Sequence, residues 1–331
     1  MSGRPFPRIV LVGVGGTITM IGPKGVAVLP ELDVDVLAEA VPGVAEICDL
    51  KTITLSKTPS PHMDIGSIMA IAATIRQMQL DGADGFVILQ GTDTMEEAAF
   101  GLELLLSRSA IVAITGAMRN PAQPGGEGPA NLLDAVRVAA SCDAGQGVVV
   151  VMDGAIHAPR YVRKEHTTSA AAFDSGPVTL GEVTDNGIVL YASLPEMPQF
   201  QVSDGAQPSP VALIEATIGE AGQLIEFVEQ AGYRGIVVAG MGGGHVSPAM
   251  ADRLEALAAR MPVIIGSRTG GGTTLTSTYA YSGGEIDLAR RGLIRSGWLA
   301  PRKARIALSL LLAANADRNR IGEFFVTFGG G

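Results

Sequence analysis

Short aliphatic runs without polar alternation punctuate the first half of the chain. They fall at 8–13, 51–55, 85–90, 110–115 and 147–152. Between them the apolar spacing turns helical, at 32–41, 64–80, 94–107 and 128–141. Runs of Val, Ile and Leu with no polar face read as strands buried on both sides, and their alternation with helices predicts a parallel sheet. Asp64 is a helix N-cap candidate, and Thr94 with Glu97 forms an [ST]-x-x-E capping box that predicts a helix start just after Thr92-Asp93.

From 153 to about 200 the pattern weakens into turns and short runs. The stretch from Leu194 to Pro210 carries Pro195, Pro198, Pro208 and Pro210 and reads as a linker. The rhythm then resumes, with strands expected at 211–215, 235–240 and 262–266 and helices at 220–231, 248–260 and 301–315. Ser247-Pro248 reads as an N-cap followed by proline in the first turn. The prediction is an α/β protein: a larger N-terminal parallel-sheet domain over 1–195 with helices on both faces, a linker over 196–210, and a smaller C-terminal α/β domain over 211–331.

A chain of 331 residues agrees with two domains. At 47% hydrophobic and 17% charged residues it can bury a large core. The net charge of −9 offers no electrostatic reason to bind nucleic acid or an anionic membrane. Cys48 and Cys142 do not make a disulfide framework, and no apolar run is long enough to span a bilayer. With no signal-peptide pattern read at the start, a cytoplasmic location is expected.

Two Gly-Thr turns about 75 residues apart carry the chemistry. Gly15-Gly16-Thr17-Ile18 follows Ile9-Val10-Leu11-Val12, and Gly91-Thr92-Asp93-Thr94-Met95-Glu96-Glu97 follows Phe86-Val87-Ile88-Leu89. Each sets a threonine hydroxyl at a strand's C-terminal end, the edge where ligand crevices form. Two hydroxyls, one beside a carboxylate, point to nucleophilic chemistry, and the second turn opens a helix whose amides favour developing negative charge. A third segment, Arg160 to Thr168, is rich in ionisable groups, and a lysine there is a candidate base. The same residues admit plainer readings: Thr17 as a turn residue, Asp93 as a cap, Lys164 as a solvated surface group. In Gly13-Val14-Gly15-Gly16-Thr17-Ile18 an isoleucine stands where a dinucleotide fingerprint has its third glycine, and no lysine completes a phosphate loop. The four histidines lack partners at metal-ligand spacing, and no G-x-S-x-G elbow occurs, so neither a metal nor a cofactor is expected.

The two turns, with Arg160 to Thr167 and Gly235 to Ser247, resemble the bacterial-type L-asparaginase/glutaminase family in order and spacing. The resemblance implies two α/β domains, a homo-oligomer (dimer or tetramer), and hydrolysis of a side-chain carboxamide through a threonyl acyl-enzyme. By position, Thr17 matches the usual nucleophile and Thr92 the second catalytic threonine. Asp93 matches the carboxylate that holds the substrate's α-amino group, and Lys164 the lysine completing the Thr-Asp-Lys group. Ser60 and Pro61 fall in the substrate segment. His245 lies where the family has asparagine, and Glu285 near the acidic residue that reaches a neighbouring subunit's site.

Three departures bear on the substrate. The family's first loop carries a tyrosine, whereas the first tyrosine here is Tyr161. Ser60-Pro61-His62-Met63 replaces Ser-Gln-Asp-Met, and Pro61 has neither an amide side chain nor a backbone N–H. His245 replaces asparagine. The catalytic group is kept while the amino-acid clamp is changed, so glutamine, a D-amino-acid amide and a succinamate-like amide stand beside L-asparagine as expected substrates. A non-catalytic sensor on the same scaffold is the reading from another class, and intact Thr17, Thr92, Asp93 and Lys164 weigh against it. The lack of a tRNA-like basic surface weighs against a tRNA amidotransferase.

Overall fold

The computed structural model describes residues 6–16, 20–21, 29–30, 33–39, 41–121, 123–141, 146–176, 178–203 and 205–330. It divides into two compact units, Met1–Gln199 and Phe200–Gly331.

In the first unit β1 (Arg8–Gly13) leads to a short antiparallel pair, β2 (Met20–Ile21) with β3 (Leu29–Pro30), then α1 (Val34–Glu39) and β4 (Asp49–Thr54). There follow α2 (Ile65–Leu80), β5 (Gly85–Leu89), α3 (Met95–Leu105), β6 (Ile111–Thr115), α4 (Gly128–Ala140) and β7 (Val148–Met152). Strands β4, β1, β5, β6 and β7 pair in parallel in that spatial order. The central strands β5 and β7 are buried throughout, which is why their sequences show no alternation. Edge strand β4, DLKTIT, keeps polar and charged side chains that discourage further pairing. α4 packs on β1, β5, β6 and β7, and α3 packs on β6, β7 and α2. Ile9, Leu11, Val87, Leu89, Val149 and Val151 form one core with α1 and α4, leaving the alternate strand positions to the opposite face.

The stretch that reads as turns holds, among the described residues, five strands: β8 (Ala155–His157), β9 (Arg163–Lys164), β10 (Phe173–Asp174), β11 (Thr179–Thr184) and β12 (Gly187–Leu190). β8, β11 and β12 extend the parallel sheet by three antiparallel strands, so the large sheet is mixed. β9 and β10 form a separate small hairpin.

The second unit is a four-stranded parallel sheet of β13 (Val211–Glu215), β14 (Gly235–Gly240), β15 (Val263–Ser267) and β16 (Ile294–Arg295). Its helices are α5 (Pro248–Ala258), α6 (Glu285–Arg290), α7 (Pro301–Ala313) and α8 (Arg318–Gly329). The helix expected at 220–231 is instead a 3₁₀ turn at Gln223–Phe227. Gly222 enters it with φ 81°, and the turn buries Ile225 and Val228 while leaving Leu224 and Phe227 exposed. Within the stretch expected as a linker, Met197 and Phe200 are buried, and Phe200 packs edge-on against Phe324.

The expected caps divide. Asp64 accepts the Ser67 amide and Ser67 reciprocates, and Ser247 accepts from the Met250 amide. Thr94 stands at the N-cap of α3 but makes no capping bond, because its hydroxyl donates to the Ser60 carbonyl at 3.1 Å.

His157 on β8 is 4% exposed, with its Nδ1 2.8 Å from the Ser175 hydroxyl. Burial pushes its pKa down to about 4, against a smaller upward pull from Asp174. The unfolded chain therefore binds a proton below its ordinary value of 6.5 that the folded chain refuses down to about 4. Stability falls as pH drops through that window, by up to about 3 kcal/mol from this group. Chemical unfolding of wild type and His157→Gln between pH 7 and 4 checks this: the wild-type curve should fall more steeply, and parallel curves would contradict it.

Candidate active site

Parallel pairing sets the ends of β1 and β5 side by side, with Gly13 opposite Leu89, and the Val14 amide donates to the Leu89 carbonyl at 3.0 Å. The two Gly-Thr turns then meet. Gly16 has φ 102°, and a Cβ placed on it would stand 2.2 Å from the Gly91 nitrogen. Gly15 has φ 110°, and a Cβ there would meet the Thr58 carbonyl oxygen at 2.4 Å. A Cβ on Gly91 would lie 2.7 Å from the Ser60 hydroxyl and 3.2 Å from the Gly16 Cα. Only glycine fits at these positions. Thr17, the residue after Gly16, lies outside the described residues, as do Ile18, Thr19 and most of the first loop.

After Gly91 the chain makes a 3₁₀ turn over Thr92–Thr94 and enters α3. Thr92 is buried at 5% exposure, whereas the Asp93 side chain is 60% exposed. Lys164, from hairpin strand β9, reaches both: its Nζ donates to Thr92 Oγ1 at 2.8 Å and to Asp93 Oδ1 at 2.6 Å. The lysine side chain is only 13% exposed, so it is not the solvated surface group of the plainer reading. Hydroxyl, ammonium and carboxylate thus form one hydrogen-bonded chain with a covered end and an open end. Such a chain can pass a proton to or from a group arriving at the open side.

Ser60 is brought to this turn, buried beside Gly91, and its carbonyl holds Thr94. Pro61 and His62 are exposed on the neighbouring 3₁₀ turn Ser60–His62. Glu96, not singled out in the sequence, accepts the Lys164 backbone N–H at 3.0 Å. Its only signal was its place in the Gly91–Glu97 motif.

His245 and Glu285 come together in the second unit. His245 sits in the turn after β14, where Met241 and His245 exchange backbone hydrogen bonds. Its Nε2 is 3.0 Å from Glu285 Oε2, and its Nδ1 is 3.0 Å from the Tyr281 hydroxyl. Glu285, at the start of α6, is 2% exposed, and its Oε1 accepts the amides of Thr278 at 2.5 Å and Tyr279 at 2.6 Å. Burial opposes its charge, but bonds from the Tyr279, Glu285 and Thr278 amides and from His245 outweigh that and hold its pKa below the ordinary value. Its carboxylate is therefore engaged within its own unit, where it orients His245, and Tyr279 and Tyr281 form the exposed rim of the cluster.

Among the described residues no group of three or more His, Cys, Asp or Glu is placed to hold a metal ion. Cys48 is buried, and burial followed by the nearby Asp49 pushes its thiol up to about 11, which removes it as a nucleophile near neutral pH. Cys142 lies outside the described residues. No helix among the described residues is long and apolar enough to cross a membrane.

Comparison with known proteins shows the family. The N-terminal asparaginase family model matches residues 8–196, and the glutaminase/asparaginase C-terminal domain matches 210–325. The chain is 34% identical to a probable periplasmic L-asparaginase of Haemophilus influenzae, over 99% of this chain and 95% of that protein. It is 32% identical to L-asparaginase 2 of Escherichia coli, over 97% and 93% of the two chains. The crystal structure of a probable cytoplasmic L-asparaginase from Campylobacter jejuni superposes with a TM-score of 0.87 at 30% identity, covering 97% of this chain and 99% of that one. With its two domains in order and its Thr-Asp-Lys group assembled, the chain belongs to the asparaginase/glutaminase family of amidohydrolases.

Proposed function

We propose that the protein hydrolyses the side-chain carboxamide of L-asparagine, or of a related small amide, through an acyl-enzyme on Thr17. The observation that carries this reading is the Thr92–Lys164–Asp93 chain, set beside the turn that leads to Thr17. The Thr17 hydroxyl attacks the amide carbon, and its proton passes toward the hydrogen-bonded group. The C–N bond breaks, and the nitrogen takes a proton and leaves as ammonia. Water then adds to the ester and releases the carboxylate and free Thr17. Amide and water give carboxylate and ammonia, so no redox partner is needed. Backbone amides at the head of the Thr92 turn favour the oxyanion; one good donor of this kind is worth about 3–4 kcal/mol. Asp93, with its exposed carboxylate, suits the α-amino group of an amino-acid substrate.

In this reading the protein works in the cytoplasm as a homo-oligomer. The Campylobacter relative is named as cytoplasmic and the Haemophilus relative as periplasmic, so cell fractionation decides the location. His245 and Glu285 complete the site of a neighbouring copy, with His245 held on its Glu285 anchor. The acidic net charge again favours a free small amide over a tRNA-bound one.

The first prediction is that purified protein releases ammonia from L-asparagine or a sibling amide, and that Thr17→Ala lowers kcat at least 10³-fold on the scale of lost nucleophiles while its circular dichroism is unchanged. An inert wild type across L-asparagine, L-glutamine, D-asparagine and succinamate would favour the sensor reading.

A second concerns selectivity. Pro61 offers no hydrogen-bond donor where the family has glutamine, and losing one bond to a charged group costs about 1.5–3 kcal/mol, or roughly 10- to 150-fold in discrimination. The ratio of kcat/KM for L-asparagine to that for succinamate should be narrow. Micromolar KM for L-asparagine with succinamate inert would show that another residue has replaced the lost contact.

The third concerns assembly. Glu285→Ala should raise KM more than it lowers kcat, and specific activity should fall on dilution as the oligomer dissociates. Full activity in a species that light scattering shows to be monomeric would refute the shared site.

A further inference from the structure

α3 carries two carboxylates that grip the segment bearing Lys164. Glu96 is 2% exposed, and its Oε2 accepts the backbone N–H of Lys164 at 3.0 Å. Glu103, two helical turns further along, meets the Arg160 guanidinium at 2.9 Å from Nε and 2.5 Å from Nη2, with side-chain exposures of 11% and 9%. The gripped segment has little regular structure of its own. β9 is two residues long and pairs only with the two residues of β10 among the described strands. Glu96, by contrast, stands in the first turn of α3, which continues directly from the Thr92–Thr94 turn. The threonine, the aspartate and the carboxylate holding the lysine's main chain therefore share one stiff piece of backbone.

We propose that Glu96 is a positioning residue for the amide hydrolysis: by holding the Lys164 amide it fixes the stem from which Nζ reaches Thr92 and Asp93. This rests on the reading of Thr92, Asp93 and Lys164 as the catalytic group, and Glu96 acts through Lys164. The contact with Lys164 is to a neutral N–H, so this contact asks for an acceptor oxygen at the right reach rather than a charge. A misplacement of about 1 Å from a residue away from the chemistry can cost on the order of 10²-fold in rate.

The test separates reach from charge, using steady-state ammonia release by the full-length protein. Glu96→Gln keeps the reach and an acceptor, and should hold kcat within about threefold of wild type. Glu96→Asp keeps the charge but is one methylene shorter, and should lose about 10- to 100-fold in kcat with KM changed less than about threefold. Glu96→Ala should lose at least as much, and serves as the second loss variant if the aspartate form does not fold; thermal unfolding confirms that each variant is folded at the assay temperature. Wild-type kcat in the folded Asp or Ala variant, or a Gln variant as impaired as Ala, would overturn the positioning role. Those outcomes leave the catalytic reading intact. A wild type inert toward every amide, or a Lys164→Met variant at full rate, would instead sink the catalytic reading and this inference with it.

Discussion

The structure depends on a contact that only two glycines allow. β1 and β5 are adjacent parallel strands, so their ends arrive at one sheet edge together. There Gly16 lies so close to Gly91 that a single methyl would stand 2.2 Å from the Gly91 nitrogen, and Gly91 itself is pressed on Ser60. Positive φ at Gly15 and Gly16 adds a conformational demand that costs another residue about 1–3 kcal/mol. The absence of side chains, rather than any attractive bond, lets two threonine-bearing turns from distant parts of the sequence share one place. Thr94 reinforces it by spending its hydroxyl on the Ser60 carbonyl instead of on its own helix.

The lysine is held by a different logic. It comes from a hairpin that the large sheet does not include, and that hairpin is tied down by polar groups: Glu96 on the Lys164 amide, Glu103 on Arg160, and Ser175 on the buried His157. Buried charges and a neutral buried histidine are expensive unless partnered. Here each meets a group on or beside the Lys164 hairpin, so the burial also serves to place Nζ. The second unit repeats the device, with Glu285 held by two loop amides and in turn orienting His245.

Much of this is legible in the residues. The apolar runs that form β1, β5, β6, β7, β13, β14 and β15 lack polar alternation, and no competing pattern obscures them. Asp64 and Ser247 cap as expected because nothing nearby offers their side chains a better partner. Thr94 does not, since Ser60 lies far away in sequence and its carbonyl cannot be seen from local spacing. The hairpin strands β8, β11 and β12 escape a reading by periodicity although their turns carry a signal: Asp153-Gly154 takes positive φ at both residues, the conformation that sets up a two-residue hairpin turn. Of the helix expected at 220–231 only a 3₁₀ turn forms, entered through Gly222 at positive φ. The bonds of Glu96, Glu103 and Tyr281 are pairings across long sequence separations or between irregular loops, which no periodicity encodes. The ionisable stretch marks Lys164 as a candidate base, but its pairing with Thr92 and Asp93 is suggested only by its place in a motif.

Mass-spectrometric mapping of an acyl-enzyme, trapped by acid quench during turnover of a slow amide, tests most directly the claim that the meeting of these turns is a catalytic site. One acyl group per active chain is expected, on the tryptic peptide that contains Thr17, and none when Thr17 is alanine. An adduct confined to Thr92, or an undiminished adduct in the Thr17→Ala protein, would contradict it.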